Sequence, residues 1–280
     1  MSKLYKVPEG IKTVLITGGG SGIGKAFVNE FARLGLDCVL VGKNKEKLIK
    51  ISNAVEKEYG IKTWIIEQDL SILGAGQKVF NYCKENNLEV DILVNNAGKL
   101  IFHEFATLTQ EQLDSLINLH IHCTTLLTYL FGKEMLERKR GFIINISSAS
   151  AWMNLPGIHV YNATKSYVRN FSRSLYYEFI GSNVGVTVVC PSGVDTAFFK
   201  LSKKLRKIGL TWGLLIKPKQ VAEISIRKAF RFKKEVFPNS LDSLLIFITK
   251  NLTDPIIFWI MKKLPQFKRI TKLPFFKKKR

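Results

Sequence analysis

Cysteine is scarce in this chain of 280 residues, and its arrangement argues against two common uses. The four copies stand singly in apolar surroundings, at Cys38, Cys83, Cys123 and Cys190. Zinc sites and disulfide frameworks need cysteines in close pairs or at regular spacings, and the sequence has neither pattern. We therefore expect four buried free thiols in a reducing compartment, and we expect no metal site.

Acidic residues are few as well. The sequence has 22 Asp and Glu against 43 Lys and Arg, which gives a formal net charge of +21 at pH 7. Much of the excess lies between residues 200 and 280, where 22 basic side chains face only 4 acidic ones. A basic segment of this kind indicates an anionic partner, such as lipid headgroups, nucleic acid or an acidic substrate carrier. Because no recognition motif accompanies the charge, we expect no specific nucleic-acid partner.

The sequence also lacks a hydrophobic run of the ~20 residues that a membrane-spanning helix needs. Its two most apolar C-terminal stretches, 241–249 and 256–261, are shorter and are separated by Lys250, Asp254 and Pro255. Their aromatic residues and the surrounding lysines favour an element that lies in an anionic membrane interface. The alternatives are that these stretches cover the sheet or form a subunit contact. With no leader-like N-terminus, we expect a cytoplasmic protein, peripheral on the cytoplasmic face of a membrane.

What the sequence does contain is a regular alternation of strand and helix patterns. Apolar, β-branched runs occupy residues 14–16, 39–41, 64–66, 92–94, 142–146 and 186–189, and residues 235–237 add a last edge strand. The alternation predicts an α/β fold, a doubly wound Rossmann-type arrangement with a mostly parallel seven-stranded sheet and helices on both faces. We expect one catalytic domain over residues 1–238, followed by a basic, apolar extension over residues 239–280.

A cluster of glycines follows the first predicted strand and opens the first predicted helix, over residues 18–24. A flexible loop is one explanation of such a cluster. Its position between a strand and a helix favours a dinucleotide site, because glycines let the backbone turn sharply and approach a pyrophosphate.

The end of the second predicted strand bears on which dinucleotide this would be. The strand runs into Gly42 and Lys43, and no carboxylate follows before Glu46. An acid at this point would hold the ribose of NAD, whereas a small residue and a cation suit the 2′-phosphate of NADP. We therefore expect NADP(H) rather than NAD(H), although a helix-capping loop with an incidental lysine would look the same.

Tyr161 and Lys165 are four residues apart, which puts both side chains on one face of a helix. A phenol titrates near pH ~10, too high for easy proton transfer in neutral water. A neighbouring ammonium should favour the phenolate and bring its pKa towards neutrality. Such pairs also occur on ordinary solvated helix faces, and it is the glycine cluster that favours chemistry here.

Taken together, these motifs resemble those of the short-chain dehydrogenase/reductase family. The family's glycine motif matches residues 17–24, and its Asn-Asn-Ala-Gly segment matches residues 95–98. Its Tyr-x-x-x-Lys motif matches Tyr161 and Lys165, with a serine thirteen residues earlier at Ser148. The asparagine that completes the family's catalytic tetrad matches Asn118. The matches come in the family's order and cover about two thirds of the chain.

The resemblance implies an oxidoreductase that interconverts a ketone and a secondary alcohol. In that reading Tyr161 gives its proton to the carbonyl oxygen, and Ser148 donates a second hydrogen bond to the same oxygen. Lys165 lowers the pKa of the tyrosine and holds the nicotinamide ribose, while Asn118 holds a water that leads to solvent. His120, on the same stretch as Asn118, is expected to be structural.

The resemblance also implies a set of cofactor contacts. These are Gly18, Ser21, Gly22, Ile23, Gly24, Lys43, Asp69, Leu70, Asn95, Ala97, Gly98, Tyr161, Lys165, Val194 and Thr196. Asp69 would contact the adenine, although it could equally cap the next helix. One departure stands out, because Ser192 follows Pro191 where the family usually has glycine. The path of the cofactor loop at Ser192 is therefore not implied by the resemblance.

In this family the segment of residues 196–217 forms a substrate lid, and here it is apolar with a basic rim. We expect a lipophilic substrate held near Ser148, Trp152 and Tyr161, such as a 3-oxoacyl thioester, a 3-oxo-sphingoid base or a steroid. Packing of the lid aromatics on the core is the simpler alternative. Family members commonly form dimers or tetramers, so we expect a homo-oligomer. A non-catalytic, membrane-associated NADP-binding regulator is the alternative function.

Overall fold

The computed structural model describes residues 5–196 and 203–263. Part of the predicted lid, residues 197–202, and the basic tail, residues 264–280, lie outside the described residues.

Seven parallel strands form one sheet in the order β3-β2-β1-β4-β5-β6-β7. The strands are β1 (Thr13–Thr17), β2 (Asp37–Gly42), β3 (Thr63–Glu67), β4 (Ile92–Asn95), β5 (Gly141–Ile146), β6 (Val184–Val189) and β7 (Glu235–Val236). The strand order reverses between β1 and β4, and in such sheets a ligand crevice opens at the carboxyl ends of the two strands that flank the reversal. The predicted doubly wound sheet is confirmed, and β7 is a two-residue edge strand.

Ten α-helices are described, and helices pack on both faces of the sheet. They are α1 (Gly22–Arg33), α2 (Lys45–Tyr59), α3 (Ala75–Glu85), α4 (Gln110–Ile117), α5 (Thr124–Glu137), α6 (His159–Glu178), α7 (Lys203–Thr211), α8 (Pro218–Ala229), α9 (Asp242–Lys250) and α10 (Asp254–Lys263). A 3₁₀ turn at Ala149–Trp152 connects β5 towards α6. Among the described helices, none combines the length and the apolar character that crossing a membrane requires.

Two apolar cores lie on opposite faces of the sheet, because successive strand side chains point to opposite sides. On one face, Val14 and Ile16 of β1 pack with Phe27 and Phe31 of α1. On the other face, Leu15 of the same strand belongs to the core that includes side chains of α3 and α5. The four cysteines are buried and unpaired, as expected.

Helices α4 and α5 follow one another without a loop, and a π-helical turn over Asn118–Cys123 joins them. A π turn inserts an extra residue into the helical repeat and frequently marks a functional site. Here it places Asn118 at the start of the turn and lays the turn against α6, the helix that carries Tyr161 and Lys165.

Candidate active site

The glycine turn between β1 and α1 depends on glycine at Gly18, Gly22 and Gly24. Gly18 and Gly22 have φ values of +68° and +54°, a region that favours glycine. A Cβ at Gly24 would lie 2.1 Å from the carbonyl oxygen of Gly18, so helix α1 can approach the turn only with glycine there. Ser21 begins α1 without a side-chain cap, which leaves the first N–H groups of the helix to face an anion.

Asn96, which sequence reasoning passed over, ties this turn to the end of β4. Its side-chain amide donates to the carbonyl of Thr17 (2.9 Å). In return, the hydroxyl of Thr17 accepts from the backbone N–H groups of Asn96 (2.9 Å) and Ala97 (3.0 Å). The two loops at the strand-order reversal are thereby fixed to one another.

A groove runs across the carboxyl edge of the sheet and consists of two adjoining cavities of about 320 and 260 Å³. The two cavities share Gly18, Ser21, Ala97 and Gly98. Ser148, Tyr161 and Lys165 line the larger cavity, together with Gly22, Ile23, Asn96, Ile146, Ser147, Pro191, Ser192, Val194 and Thr196. The groove is therefore lined by most of the predicted cofactor residues.

Tyr161, Ser148 and Lys165 all line the larger cavity. The hydroxyl of Tyr161 is hydrogen-bonded with Ser148. The Ser148 hydroxyl also accepts from the backbone N–H of Ser150 (3.1 Å). The ammonium of Lys165 lies 5.7 Å from the centre of the Tyr161 ring and donates to the carbonyl of Ile146 (2.9 Å).

The neighbouring serine, Ser147, has a structural role. Its hydroxyl donates to the backbone carbonyl of Lys165 (2.7 Å), so it anchors α6 to the end of β5. Ser148 is thus the serine of the pair that is hydrogen-bonded with Tyr161.

Burial shifts the pKa values of Tyr161 and Lys165 in opposite directions. It raises the pKa of the Tyr161 phenol to about 12, and the hydrogen bond with Ser148 opposes the rise. It lowers the pKa of the Lys165 ammonium to about 8. The expectation that Lys165 brings the tyrosine pKa towards neutrality is wrong here, because desolvation disfavours both charged forms. At neutral pH the arrangement keeps Tyr161 as a phenol with a proton to give.

The comparison with known families agrees with this geometry. The model of the family described as short chain dehydrogenase matches residues 12–206, which hold the glycine turn, Ser148, Tyr161 and Lys165. The chain belongs to the short-chain dehydrogenase family.

Curated relatives in this family differ in what their names say. The chain is similar to the very-long-chain 3-oxoacyl-CoA reductase of Mus musculus, at 34% identity over 193 residues, 68% of this chain and 61% of that protein. It is also similar to the inactive hydroxysteroid dehydrogenase-like protein 1 of Homo sapiens, at 32% identity over 199 residues, 69% of this chain and 59% of that protein. The match thus spans about three fifths of these relatives' length.

Among solved structures, the chain is similar to a short-chain dehydrogenase from Sphingobium yanoikuyae in complex with NADPH. The TM-score is 0.73 at 26% identity, and the match covers 87% of this chain and 97% of that one.

The smaller cavity of this short-chain dehydrogenase is lined by two lysines that the sequence motifs did not identify, besides the one that they did. Lys43, the predicted partner of a 2′-phosphate, lines it, and so do Lys47 and Lys99. Gly42, Asp69 and Leu70 also line this cavity. The cavity therefore presents three cations at the end of the groove away from Tyr161.

Asp69 does not cap the next helix, because Gly74 precedes α3 and no side chain caps the start of that helix. Its carboxylate accepts from the N–H (2.9 Å) and the hydroxyl (2.6 Å) of Ser71, as a turn-capping residue would. Burial alone would raise its pKa, but these hydrogen bonds and the charges of Lys43 and Lys99 lower it overall. The side chain is therefore a carboxylate that also borders the cavity.

Asn95 is placed differently from its neighbours in the Asn-Asn-Ala-Gly segment. Its amide is buried and donates to Thr128 (3.0 Å) and to Asn145 (2.8 Å), so it links β4 to α5 and β5. It does not line either cavity of the groove among the described residues, whereas Asn96, Ala97 and Gly98 do. The side-chain amide of Asn95, a predicted cofactor residue, thus makes structural hydrogen bonds.

Trp152, a predicted substrate residue, is not among the described residues that line the larger cavity. Its ring packs 4.1 Å from the guanidinium of Arg169 and 5.7 Å from the ring of Phe237. Arg169 is in turn bound to Glu235 of β7 (2.6 Å). In this arrangement Trp152 buttresses the 3₁₀ turn that follows Ser148.

His120 takes a more specific position than its expected structural role. Its Nε2 accepts from the N–H of Lys99 (3.1 Å), which leaves the proton on Nδ1. Nδ1 then donates to the hydroxyl of Thr164 (2.9 Å), and that hydroxyl donates to the carbonyl of Tyr161 (2.8 Å). Burial, and then the charges of Lys165 and Lys99, hold the pKa of His120 well below its usual value, so the ring stays neutral. The chain of bonds ties the π turn to the backbone of Tyr161.

In the described residues, no three His, Cys, Asp or Glu side chains form a group that could hold a metal ion.

Proposed function

We propose that the protein is an NADP(H)-dependent reductase of lipophilic ketones. The observation that carries the proposal is the hydrogen bond between Tyr161 and Ser148 in a cavity that continues into the glycine-lined groove. A carbonyl oxygen held between these two hydroxyl groups receives the proton of Tyr161 as its carbon is reduced, while Ser148 stabilises the developing negative charge. Because burial raises the pKa of Tyr161 to about 12, the phenol keeps its proton for this step.

The groove fits a pyridine dinucleotide. The close approach of Gly24 to the Gly18 carbonyl and the uncapped start of α1 suit a pyrophosphate, and the cations of the smaller cavity suit a 2′-phosphate. When bound, NADPH would supply the hydride. Gly18, Ser21, Gly22, Ile23, Gly24, Ala97, Gly98, Val194 and Thr196 would hold it, with Lys43, Asp69 and Leu70 at the adenosine end and Lys165 near the nicotinamide ribose.

The relatives support a lipophilic substrate, since one of them is named for 3-oxoacyl-CoA reduction. Candidate substrates are long-chain 3-oxoacyl thioesters, 3-oxo-sphingoid bases and steroid ketones. The direct test is NADPH consumption by the full chain with a panel of these ketones, followed by absorbance. Oxidation of NADPH with at least one class supports the proposal. If NADPH binds but no ketone is reduced, the protein is the non-catalytic binder that the name of the inactive relative suggests.

Lys43→Glu should weaken NADPH binding by about 10- to 100-fold, because it puts a negative charge where the 2′-phosphate would lie. Affinity for NADH, which lacks that phosphate, should change far less. Lys45→Glu is the matched control, because Lys45 is an exposed residue two positions on that does not line the cavity. Equal losses for both nucleotides, or equal losses in both variants, would contradict this assignment. Dissociation constants from nucleotide fluorescence provide the measurement.

We also propose that α9, α10 and the end of α7 lie in an anionic membrane interface. Exposed side chains on these helices, or directly after α7, include Trp212, Phe247 and Trp259, at 73%, 67% and 61% of their full exposure. Basic residues surround them, as in interfacial helices. A homo-oligomer that buries this surface is the competing explanation, and exposed tyrosines on α5 and α6, Tyr129 and Tyr167, offer a second face for such an assembly.

The membrane proposal predicts that the full chain floats with vesicles that contain phosphatidylserine and less with vesicles of phosphatidylcholine alone. Phe247→Ser with Trp259→Ser should reduce flotation severalfold, since each aromatic ring contributes buried apolar area. Tyr129→Ser with Tyr167→Ser, on the other face, is the control. Flotation that is unchanged by the first pair, or an oligomer that this pair dissociates, would contradict interfacial binding.

A further inference from the structure

The loop after β6 carries Ser192 at the position where the family resemblance predicts glycine, and the structure gives this serine a partner. The Ser192 hydroxyl donates to the carboxylate of Asp242, the first residue of α9. The backbone N–H of Ser192 is hydrogen-bonded to the same carboxylate. The remaining oxygen of Asp242 accepts from the backbone N–H of Asn239 (2.9 Å).

Asp242 has no exposed surface, and burying a carboxylate is costly unless hydrogen bonds replace its water. Burial raises the pKa of Asp242, and the bonds from Ser192 and Asn239 oppose that rise. An acidic residue that served only to start a helix would not need to be buried, because water could hydrogen-bond its carboxylate. Its location beneath the cofactor loop therefore points to a role in holding that loop.

The loop that Asp242 grips is a wall of the active site. Pro191, Ser192 and Val194 line the cavity of Tyr161. The carbonyl of Pro191 accepts from the N–H of Ala149, the residue after Ser148 (2.9 Å). A shift of Ser192 would thus be felt at both the proposed nicotinamide position and the catalytic serine.

The same junction reaches the lid. The side-chain amide of Asn239 donates to the carbonyl of Gly213 (2.6 Å), and the N–H of Ile216 donates to the carbonyl of Gly193 (2.9 Å). A Cβ at Gly193 would lie 2.5 Å from the carbonyl oxygen of Leu214, so the lid end packs directly on the loop. Asn239 and Asp242 therefore join the cofactor loop, the lid and α9.

We propose that Asp242 is a positioning residue that acts through Ser192 to hold the 191–194 loop against the bound nucleotide. Residues 239–250 then contribute to the active site, although the sequence analysis placed them in an extension that follows the catalytic domain. The proposal rests on nucleotide binding, the first half of the proposed function, and does not require turnover.

The test is a double-mutant cycle on the affinity of the full chain for NADPH, measured by nucleotide fluorescence. Asp242→Asn and Ser192→Ala should each weaken binding about tenfold, and the double variant should bind no more weakly than either single variant. Asp254→Asn, an exposed acid in the first turn of α10, should leave affinity within about twofold. Thermal melting of each variant identifies any that fails to fold, and Ser192→Ala, which removes only a hydroxyl group, carries the test if Asp242→Asn unfolds.

Unchanged affinity in Asp242→Asn or in Ser192→Ala would overturn the proposal. Losses that multiply in the double variant would overturn it too, because the two residues would then act separately. A wild-type chain that binds no NADPH would instead contradict the proposed function, and this inference with it.

Discussion

Replacing Tyr161 by Phe should lower kcat for ketone reduction by about 10²- to 10⁴-fold, because the variant has no proton to give to the carbonyl oxygen. NADPH affinity should be nearly unchanged, since the ring still packs edge-on against His120 at 5.6 Å between centres. The loss of one buried hydrogen bond with Ser148 should cost only about 0.5–1.5 kcal/mol of stability. Steady-state NADPH oxidation, with binding and melting measured on the same preparations, separates these effects.

The control for this substitution is Tyr167→Phe on the same helix. The hydroxyl of Tyr167 is bonded to Thr125 (2.9 Å) on the outer side of α6, away from the cavity. The Tyr167→Phe variant should reduce ketones with the same kcat as the wild type. Equal rates in Tyr161→Phe and the wild type would remove the phenol from the mechanism.

Lys165→Met should lower kcat/KM by at least about 10²-fold, because it removes the cation that would hold the nicotinamide ribose beside Tyr161. It should also change how stability depends on pH. Burial lowers the pKa of Lys165 from 10.5 to about 8, so between those values the unfolded chain binds more protons than the folded one. Stability of the wild type therefore gains from rising pH across this window, and the penalty for burying the charge is complete below about pH 8.

Methionine lacks this titration. The unfolding free energy of the wild type, minus that of Lys165→Met, should therefore increase by roughly 2 kcal/mol between about pH 7 and about pH 10. Lys57→Met, at an exposed position on α2, controls for the loss of a charge as such. Urea unfolding at a series of pH values gives both differences. A difference that stays flat or falls across the window would contradict the burial of a charged ammonium at this site.

The sheet, the glycine turn and the Tyr161–Lys165 pair could be predicted because their signals are local. A β-branched run, a positive-φ glycine and an i,i+4 spacing each depend on residues close together in the sequence. The segment of residues 95–98 shows the limit of that approach. Which of Asn95 and Asn96 faces the groove depends on where β4 ends, and one residue changes the face of the sheet.

Other parts of the site depend on contacts between distant segments. His120 joins Thr164 across 44 residues, and Ser192 joins Asp242 across 50. No spacing rule points from one partner to the other. The unusual Ser192 was visible as a departure from the family pattern, which was the only signal available for the junction with α9.

The direction of the Tyr161 pKa shift was predicted wrongly for a related reason. Sequence spacing indicates that Lys165 is near, but it does not indicate how far both groups are removed from water. Tyr161 and Lys165 are only 7% and 5% exposed, and at that depth desolvation raises the pKa of the phenol, with only the hydrogen bond from Ser148 opposing the rise. The consequence is functional, because a protonated phenol suits reduction of a ketone.

The most direct measurement is the fate of a deuterium label carried on the transferable position of NADPH. The full chain is incubated with labelled NADPH and a long-chain 3-oxoacyl thioester, a sphingoid ketone or a steroid ketone, and the product is analysed by mass spectrometry. We expect one deuterium on the carbinol carbon of a secondary alcohol, formed at least about 10²-fold more slowly by Tyr161→Phe. Bound nucleotide without a labelled alcohol from any ketone, or a labelled alcohol formed equally fast without the phenol, would contradict the central role of Tyr161.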